Sequence, residues 1–451
     1  MIGLNKIGLN QVQLNRLRLN APFPTCREMA GGGGSGDGFP QLPGDVTRWY
    51  FGGLTNEMMA AMDDPRIEDA DHKGRFLSFN KNFAWKEGSG ISDVYPGALV
   101  FDGVDDYGVC ENFPILTKEK GYTVVALRQW DQDFLNTTLT GGLLSTRNYS
   151  TREGVAFEKI ESSNKGYWNL GAGGIIDFAK SPFTWQTSKQ YNNVGILKGD
   201  KNHGKPLCVG CGLSGGQQCG RFAIWELVFL DHDATEEELN KIKDYFVKTY
   251  PWLFPDQAWT VVGKTNEDED RATIANITGN GNDLVCLNLG FIEGSGYNEE
   301  GEYAGYLVTD GVDDKITSST FEMGNDWTVI GDWELINTGK NDNAGIVKFD
   351  SIVIYNYNPI LINIKNGRNN LIPDQNTVNA ICSDGRIYSK DWKESIYNEE
   401  TESTSKNLLT IGYSGNSYTK IAFKNLAIYP TVLSKEDCIK AYNYLQTLKA
   451  K

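Results

Sequence analysis

The sequence predicts an all-β protein: two tandem antiparallel sandwiches, each ending in one α-helix, behind an N-terminal repeat arm. Three observations predict it. Short apolar runs bounded by Gly, Asn and Asp recur along most of the chain, the pattern of strands joined by tight turns. One stretch, Ala98-Leu-Val-Phe-Asp-Gly-Val-Asp-Asp106, returns as Tyr306-Leu-Val-Thr-Asp-Gly-Val-Asp-Asp314. Each copy then finishes on a capped amphipathic segment.

The arm comes first, over residues 1–29. Its opening text repeats every five residues: Ile2, Leu4 and Asn5, then Ile7, Leu9 and Asn10, then Val12, Leu14 and Asn15, then Leu17, Leu19 and Asn20. Period five fits neither a helix nor a flat strand. It suits a short solenoid coil that becomes ordered against copies of itself or another protein. Lys6, Arg16, Arg18 and Arg27 against Glu28 give the arm +3, while the whole chain carries −15. A basic arm on an acidic body is the asymmetry of a docking tail. Residues 30–44, with Gly31-Gly-Gly-Gly-Ser-Gly-Asp-Gly38, are a flexible linker with a stiffer Pro-containing exit.

The body divides into residues 45–255 and 256–451. Asn82-Phe-Ala-Trp-Lys-Glu-Gly-Ser-Gly90 matches Asn288-Leu-Gly-Phe-Ile-Glu-Gly-Ser-Gly296, and Phe222–Phe229 matches Ile421–Ile428. Between these landmarks lie strand patterns such as Tyr122–Leu127, Gly154–Phe157, Phe183–Trp185 and 194–197. Thr328–Ile330, Gly345–Phe349, Ile352–Tyr355 and Ile360–Ile364 repeat the theme. Thr235 with Glu238, and Ser434 with Asp437, start the two helices. Leu239, Ile242, Tyr245 and Phe246 form one apolar helix face; Cys438, Ile439, Tyr442 and Leu445 form the other.

Charge and hydropathy exclude several classes. A net charge of −15 makes nucleic acid an unexpected partner. No apolar run approaches the roughly 20 residues of a membrane span. Met1-Ile2-Gly3-Leu4-Asn5 opens a polar repeat where a secretory signal would be apolar. Eight cysteines in so long a chain are not a dense disulfide framework and could all stay reduced.

Thr278-Gly-Asn-Gly-Asn-Asp-Leu284, the Leu-Val-Phe-Asp-Gly-Val-Asp-Asp turn and the late Leu227-Val-Phe-Leu230 strand together resemble the concanavalin A-like lectin/glucanase jelly roll, in its laminin-G-like branch. The resemblance covers residues 45–451 in two copies. The text from Asp102 to Gly121 is similar to virion appendage proteins of Bacteroides (crAss-like) phages. It implies a virion protein, a head or tail fibre, assembled in the host cytoplasm and released by lysis. Its arm would dock on other virion proteins, its modules would touch a host surface glycan, and it would form a homo-oligomer. A structural spacer, a glycan-cleaving enzyme and a bacterial surface lectin are the alternatives.

Candidate chemistry is sparse. Asp102, Asp105 and Asp106, with Asp310, Asp313 and Asp314, cluster the hard oxygens that calcium uses. The resemblance places calcium near the sandwich rim; otherwise these residues only shape turns. Cys208, Cys211, Cys219 and His203 superficially form a zinc set. However, Leu207-Cys-Val-Gly-Cys211 aligns with Leu409-Thr-Ile-Gly-Tyr413, so buried thiols are the simpler reading, with a disulfide at Cys219 left open. His72, His203 and His232 are the only histidines, and none sits in a nucleophile context. The Glu-x-Asp-x-x-Glu string of the glucanase branch is absent, and Glu267-Asp-Glu-Asp270 reads as a solvated loop. No catalytic set is expected. Tyr355, Tyr357, Trp392 and Tyr413 are candidates for stacking on sugars, whereas Trp130, Trp168 and Trp185 are expected in the core.

Overall fold

The computed structural model describes residues 38–450, apart from 115, 117–119, 147–154, 160–164, 169–174, 178–181, 188–205, 214–215, 337–344, 350–351, 356–359, 365–367, 373–377, 397–406 and 415–416. The repeat arm, most of the Gly-rich linker, the 194–197 segment, His203 and Tyr357 lie outside them. The chain forms two compact units, the first ending at Tyr245 and the second beginning at Phe246. No helix of the described residues is long and apolar enough to cross a membrane.

Each unit is an all-β sandwich with its own core. In the first unit, Phe183–Thr187, Thr123–Trp130, Arg221–Leu230, Ala98–Asp102 and Gly90–Ser92 lie side by side in one sheet, and Val46–Tyr50 also pairs with Arg221–Leu230. The second unit repeats this order. Val378–Cys382, Thr328–Leu335, Ile421–Tyr429, Tyr306–Val308 and Gly296–Asn298 follow one another, with Gln257–Thr260 on Ile421–Tyr429. Two further strands, Arg386–Ser389 and Glu394–Ile396, extend it beyond Val378–Cys382. A second sheet faces the first in each unit, and the cores between them are separate. One centres on Trp49, Phe101, Trp130 and Phe222, the other on Trp259, Trp327, Trp333 and Phe423. Burying a large apolar side chain contributes about 1.5–3 kcal/mol, so these clusters dominate the stability of each sandwich.

The terminal helices are Glu236–Thr249 and Lys435–Leu445. The first starts on a reciprocal capping box: the Thr235 amide donates to Glu238 Oε2 at 2.7 Å, and the Glu238 amide donates to Thr235 Oγ1 at 3.3 Å. Ser434 caps the second through the Asp437 amide at 3.1 Å. Leu239, Ile242, Tyr245 and Phe246 are buried, as their spacing predicts. The second helix departs from expectation. Ile439 and Tyr442 are half-exposed, and the buried residues are Cys438, Ala441, Tyr444 and Leu445. Alanine lets this helix lie close at position 441 and turns the larger Tyr442 outward. Trp130 is in the core as expected, but Trp185, on the edge strand Phe183–Thr187, is half-exposed.

Candidate functional site

The duplicated Asp-Gly-Val-Asp-Asp turns are built alike. Asp102 Oδ1 accepts the amides of Val104 at 2.8 Å and Asp105 at 3.3 Å; Asp310 Oδ1 accepts those of Val312 at 2.7 Å and Asp313 at 3.3 Å. The last Asp folds back in both, so that Oδ2 accepts the amide of the first at 3.1 Å for Asp106 and 2.8 Å for Asp314. Ser295 Oγ donates to Asp314 Oδ2 at 2.7 Å, and Ser89 hydrogen-bonds Asp106 in the same way. Gly103 and Gly311 take φ of +78° and +77°, which only glycine adopts freely. A second matched device lies upstream, in Thr55-Asn56-Glu57 and Thr265-Asn266-Glu267. Asn56 exchanges two hydrogen bonds with the backbone of Ile91, and Asn266 does the same with Tyr297.

These turns bring together the sequence-predicted carboxylates. In each copy one oxygen from each of three residues lies within 4.8 Å of the others: Asp102, Asp105 and Asp106, and Asp310, Asp313 and Asp314. Ligand oxygens opposite one another across calcium are about that far apart. Asp106 and Asp314 are fully buried, and Oδ1 of each has no hydrogen-bond partner among the described residues. Burial raises the Asp106 carboxyl to about 6, and raises Asp314 likewise. The donor chemistry and the partnerless oxygen fit a calcium ion held by these residues. Three carboxylates supply only part of its six to eight oxygens, so backbone carbonyls or water would complete the shell.

The cysteine positions resolve differently. Cys211 and Cys219 are joined in a disulfide, while Cys208 is buried and takes no part in it. The disulfide left open at Cys219 is formed with Cys211, and a bonded pair does not offer zinc its thiolates. Cys211 follows Gly210, and Tyr413 follows Gly412, at φ of +99° and +80°. Where Cys211 faces Cys219 across its hairpin, Tyr413 faces Tyr418 with ring centroids 4.8 Å apart. Tyr413, one of the expected sugar-stacking residues, is thus half of a ring pair replacing the bond. Glu267–Asp270 is an exposed loop whose Asp268 accepts the Thr265 amide at 2.8 Å.

Trp392 leads to the most chemically equipped face among the described residues. It lies on the outer side of the second unit's main sheet, beside the terminal helix. Asp332 and Glu334, on Thr328–Leu335, point away from the core while Trp333 between them fills it. The Tyr306 hydroxyl donates to Asp332 Oδ1 at 3.1 Å, and Tyr442 of the helix also hydrogen-bonds Asp332. Lys424 Nζ stands 3.9 Å from Asp332 Oδ2, and Lys390 Nζ stands 3.7 Å from Glu334 Oε1. Tyr303 meets Tyr306 edge-on with centroids 6.3 Å apart; Trp392 meets Tyr442 edge-on at 5.7 Å. Burial, then the Asp332 charge, raises both the Tyr306 and the Tyr442 hydroxyl, which keeps them as neutral donors to Asp332.

This face does not follow from the fold. Strand register equates Asp332 with Leu127, and Tyr306 with Ala98. By the duplicated strand and helix text, Lys424 corresponds to Trp225 and Tyr442 to Lys243. The first unit does not repeat these residues; beneath its own helix the Tyr245 hydroxyl donates instead to the fully buried Glu226 at 3.0 Å, beside Arg48. Sequence reading finds Trp392 but misses Tyr306, Asp332, Glu334 and Tyr442. The available signal is the alternation Asp332-Trp-Glu334, which puts two carboxylates on one strand face.

The first unit has a cavity of about 320 Å³ between Asp45, Leu116, Lys120, Phe229 and Asp231. Its Asp45 carboxylate is already taken by Lys73 at 2.8 Å and by Arg75.

No family model matches the chain, and no curated protein matches it. Among solved structures it is similar to Trypanosoma rangeli sialidase in complex with sialic acid, at 9% identity over 84% of this chain and 68% of that one, TM-score 0.32. It is also similar to the botulinum neurotoxin type G receptor-binding domain, at 12% identity and TM-score 0.26, covering 42% of this chain and half of that domain. The botulinum serotype D binding domain matches at 11% identity and TM-score 0.30, over 80% of this chain and 94% of that one. One of these neighbours is an enzyme and two are binding domains, and at such scores the likeness carries no functional argument.

Proposed function

We propose that this protein is a non-enzymatic attachment protein of a phage virion, docked by its N-terminal arm and presenting a glycan-binding face on its second sandwich. The observation that supports glycan binding is the set of half-buried rings around Asp332, whose equivalents in the first sandwich are Ala98 for Tyr306 and Leu127 for Asp332. Aromatic faces stack on the apolar faces of sugars, while fixed hydroxyls, carboxylates and ammonium groups take their hydroxyls. Individually weak contacts gain strength when several copies engage one surface, which suits a homo-oligomer on a particle. Calcium, if bound, belongs to the duplicated turns, where Asp102, Asp105 and Asp106, and Asp310, Asp313 and Asp314, would hold it and brace the rim loops.

A glycan-cleaving enzyme is the second reading, favoured by Asp332 and Glu334 on one strand face. Against it, each carboxylate has an ammonium within 4 Å, whereas a general acid needs a carboxyl shielded from cations.

Glycan-array binding of the full chain, beside Trp392→Ala, tests the binding function. Selective signal that the variant loses supports it; a blank array with folded protein overturns it. Peptide mass spectrometry of gradient-purified particles from the source culture tests the location, and absence from them overturns the virion assignment.

A further inference from the structure

Resting on the glycan-binding reading above, we infer that the second unit grips an internal stretch of a saccharide chain, at least two sugar rings long, rather than a chain end. The face is a strip and not a pocket. Thr328–Leu335, with Asp332, lies at its middle. Tyr306–Val308 is two strands away on one side, and Arg386–Ser389, just before Trp392, is two strands away on the other. Strands are spaced about 4.7–4.9 Å apart, so the backbones carrying Tyr306 and leading to Trp392 stand roughly 19 Å apart, while the Tyr306 and Tyr442 hydroxyls converge on Asp332 between them. The outer rings, Tyr303 and Trp392, each pack edge-on against one of these tyrosines.

The ring pairs mirror one another about the carboxylate. Tyr303 sits edge-on to Tyr306 at 81°, and Trp392 edge-on to Tyr442 at 82°. The inner ring of each pair is a tyrosine whose hydroxyl is spent on Asp332. Its position is therefore fixed before any ligand arrives, which lowers the ordering cost of binding. Each tyrosine oxygen still has lone pairs to accept a sugar hydroxyl. One stacking ring at either end, with acceptors and two lysines between, matches two or more linked rings lying along the strip. A single terminal sugar would leave one ring pair unused.

The test is calorimetric titration of the full chain with mono- to hexasaccharides of β-linked glucose, galactose, mannose and N-acetylglucosamine. The expected result is affinity rising at least tenfold from mono- to tetrasaccharide in one series. Tyr303→Ala and Trp392→Ala should each lower tetrasaccharide affinity about tenfold, a change of about 1.4 kcal/mol, while Trp392→Phe restores most of it. A monosaccharide that binds as tightly as its tetramer, or a loss confined to one ring pair, overturns the two-ring inference and leaves glycan binding standing. No binding in any series, by protein of unchanged melting temperature, overturns both. If Trp392→Ala changes the sedimentation of the protein instead, the strip is a contact between copies and the inference fails.

Discussion

The Tyr306 hydroxyl donates to Asp332 Oδ1 across 3.1 Å, reaching over the strand Ile421–Tyr429 that separates their backbones. This bond locks an aromatic ring to a carboxylate on an outer sheet face, where the equivalent residues of the first unit are Ala98 and Leu127. Tyr306→Phe keeps the ring and removes the hydroxyl. Re-ordering the freed ring on binding would cost about 0.5–1.5 kcal/mol, so saccharide affinity should fall by up to about tenfold. Titration of both proteins checks it, and equal affinities would show that the bond does not preorganise the site.

The buried Asp106 makes a pH prediction. Burial, reinforced by the charges of Asp102 and Asp105, raises its carboxyl from 3.8 to about 6 against the pull of hydrogen bonds from Ser89 and the Asp102 amide. The folded state thus holds this proton more tightly than the unfolded chain. Its contribution to stability is complete below about pH 4 and is lost as pH rises through 6. Asp106→Asn should therefore gain on the native protein by about 1–2 kcal/mol between pH 5 and pH 8. Urea unfolding in a chelator checks this; a difference independent of pH would contradict it.

Calcium acts on the same turns with the opposite sense, because a cation favours the ionised carboxylates. Added to chelator-stripped protein, it should raise the melting temperature, with stabilisation reaching about 2.7 kcal/mol at a hundredfold excess over its dissociation constant. Asp106→Asn with Asp314→Asn should abolish the rise. An unchanged melting temperature for the native protein would assign the turns to structure alone.

The Cys211–Cys219 disulfide closes a short hairpin. On loop-entropy grounds a loop this small contributes about 2–3 kcal/mol. Paired Cys211→Ser and Cys219→Ser should lower the first unit's calorimetric transition by several degrees and leave the second unit's in place. Equal losses in both transitions would show that the units do not melt independently.

The duplication and most strand positions were legible because turn residues and apolar runs repeat together. Asp102 and Asp310, each opening an identical turn, were legible as clustered carboxylates for the same reason. The candidate site was legible only through Trp392. Tyr442 reads as core because it sits one turn after Cys438 on the apolar stripe, yet Ala441 and Tyr444 take the buried positions. Asp332 and Glu334 hide within an apolar strand whose other face carries Val329 and Trp333 into the core. Tyr306, from a distant strand, joins them only through sheet order, which no local pattern encodes. Trp185 fails as a core residue because its strand is an edge among the described residues, which leaves the ring half-exposed.

The central claim is that the Asp332 face of the second unit binds saccharide, and purified surface polysaccharide of the host tests it most directly. The full chain, immobilised for interferometry, should bind that polysaccharide reversibly, and Asp332→Ala with Trp392→Ala should lower the affinity at least tenfold while circular dichroism shows the variant still folded. Binding that survives both substitutions would place the site elsewhere. No binding by the native chain would contradict the account.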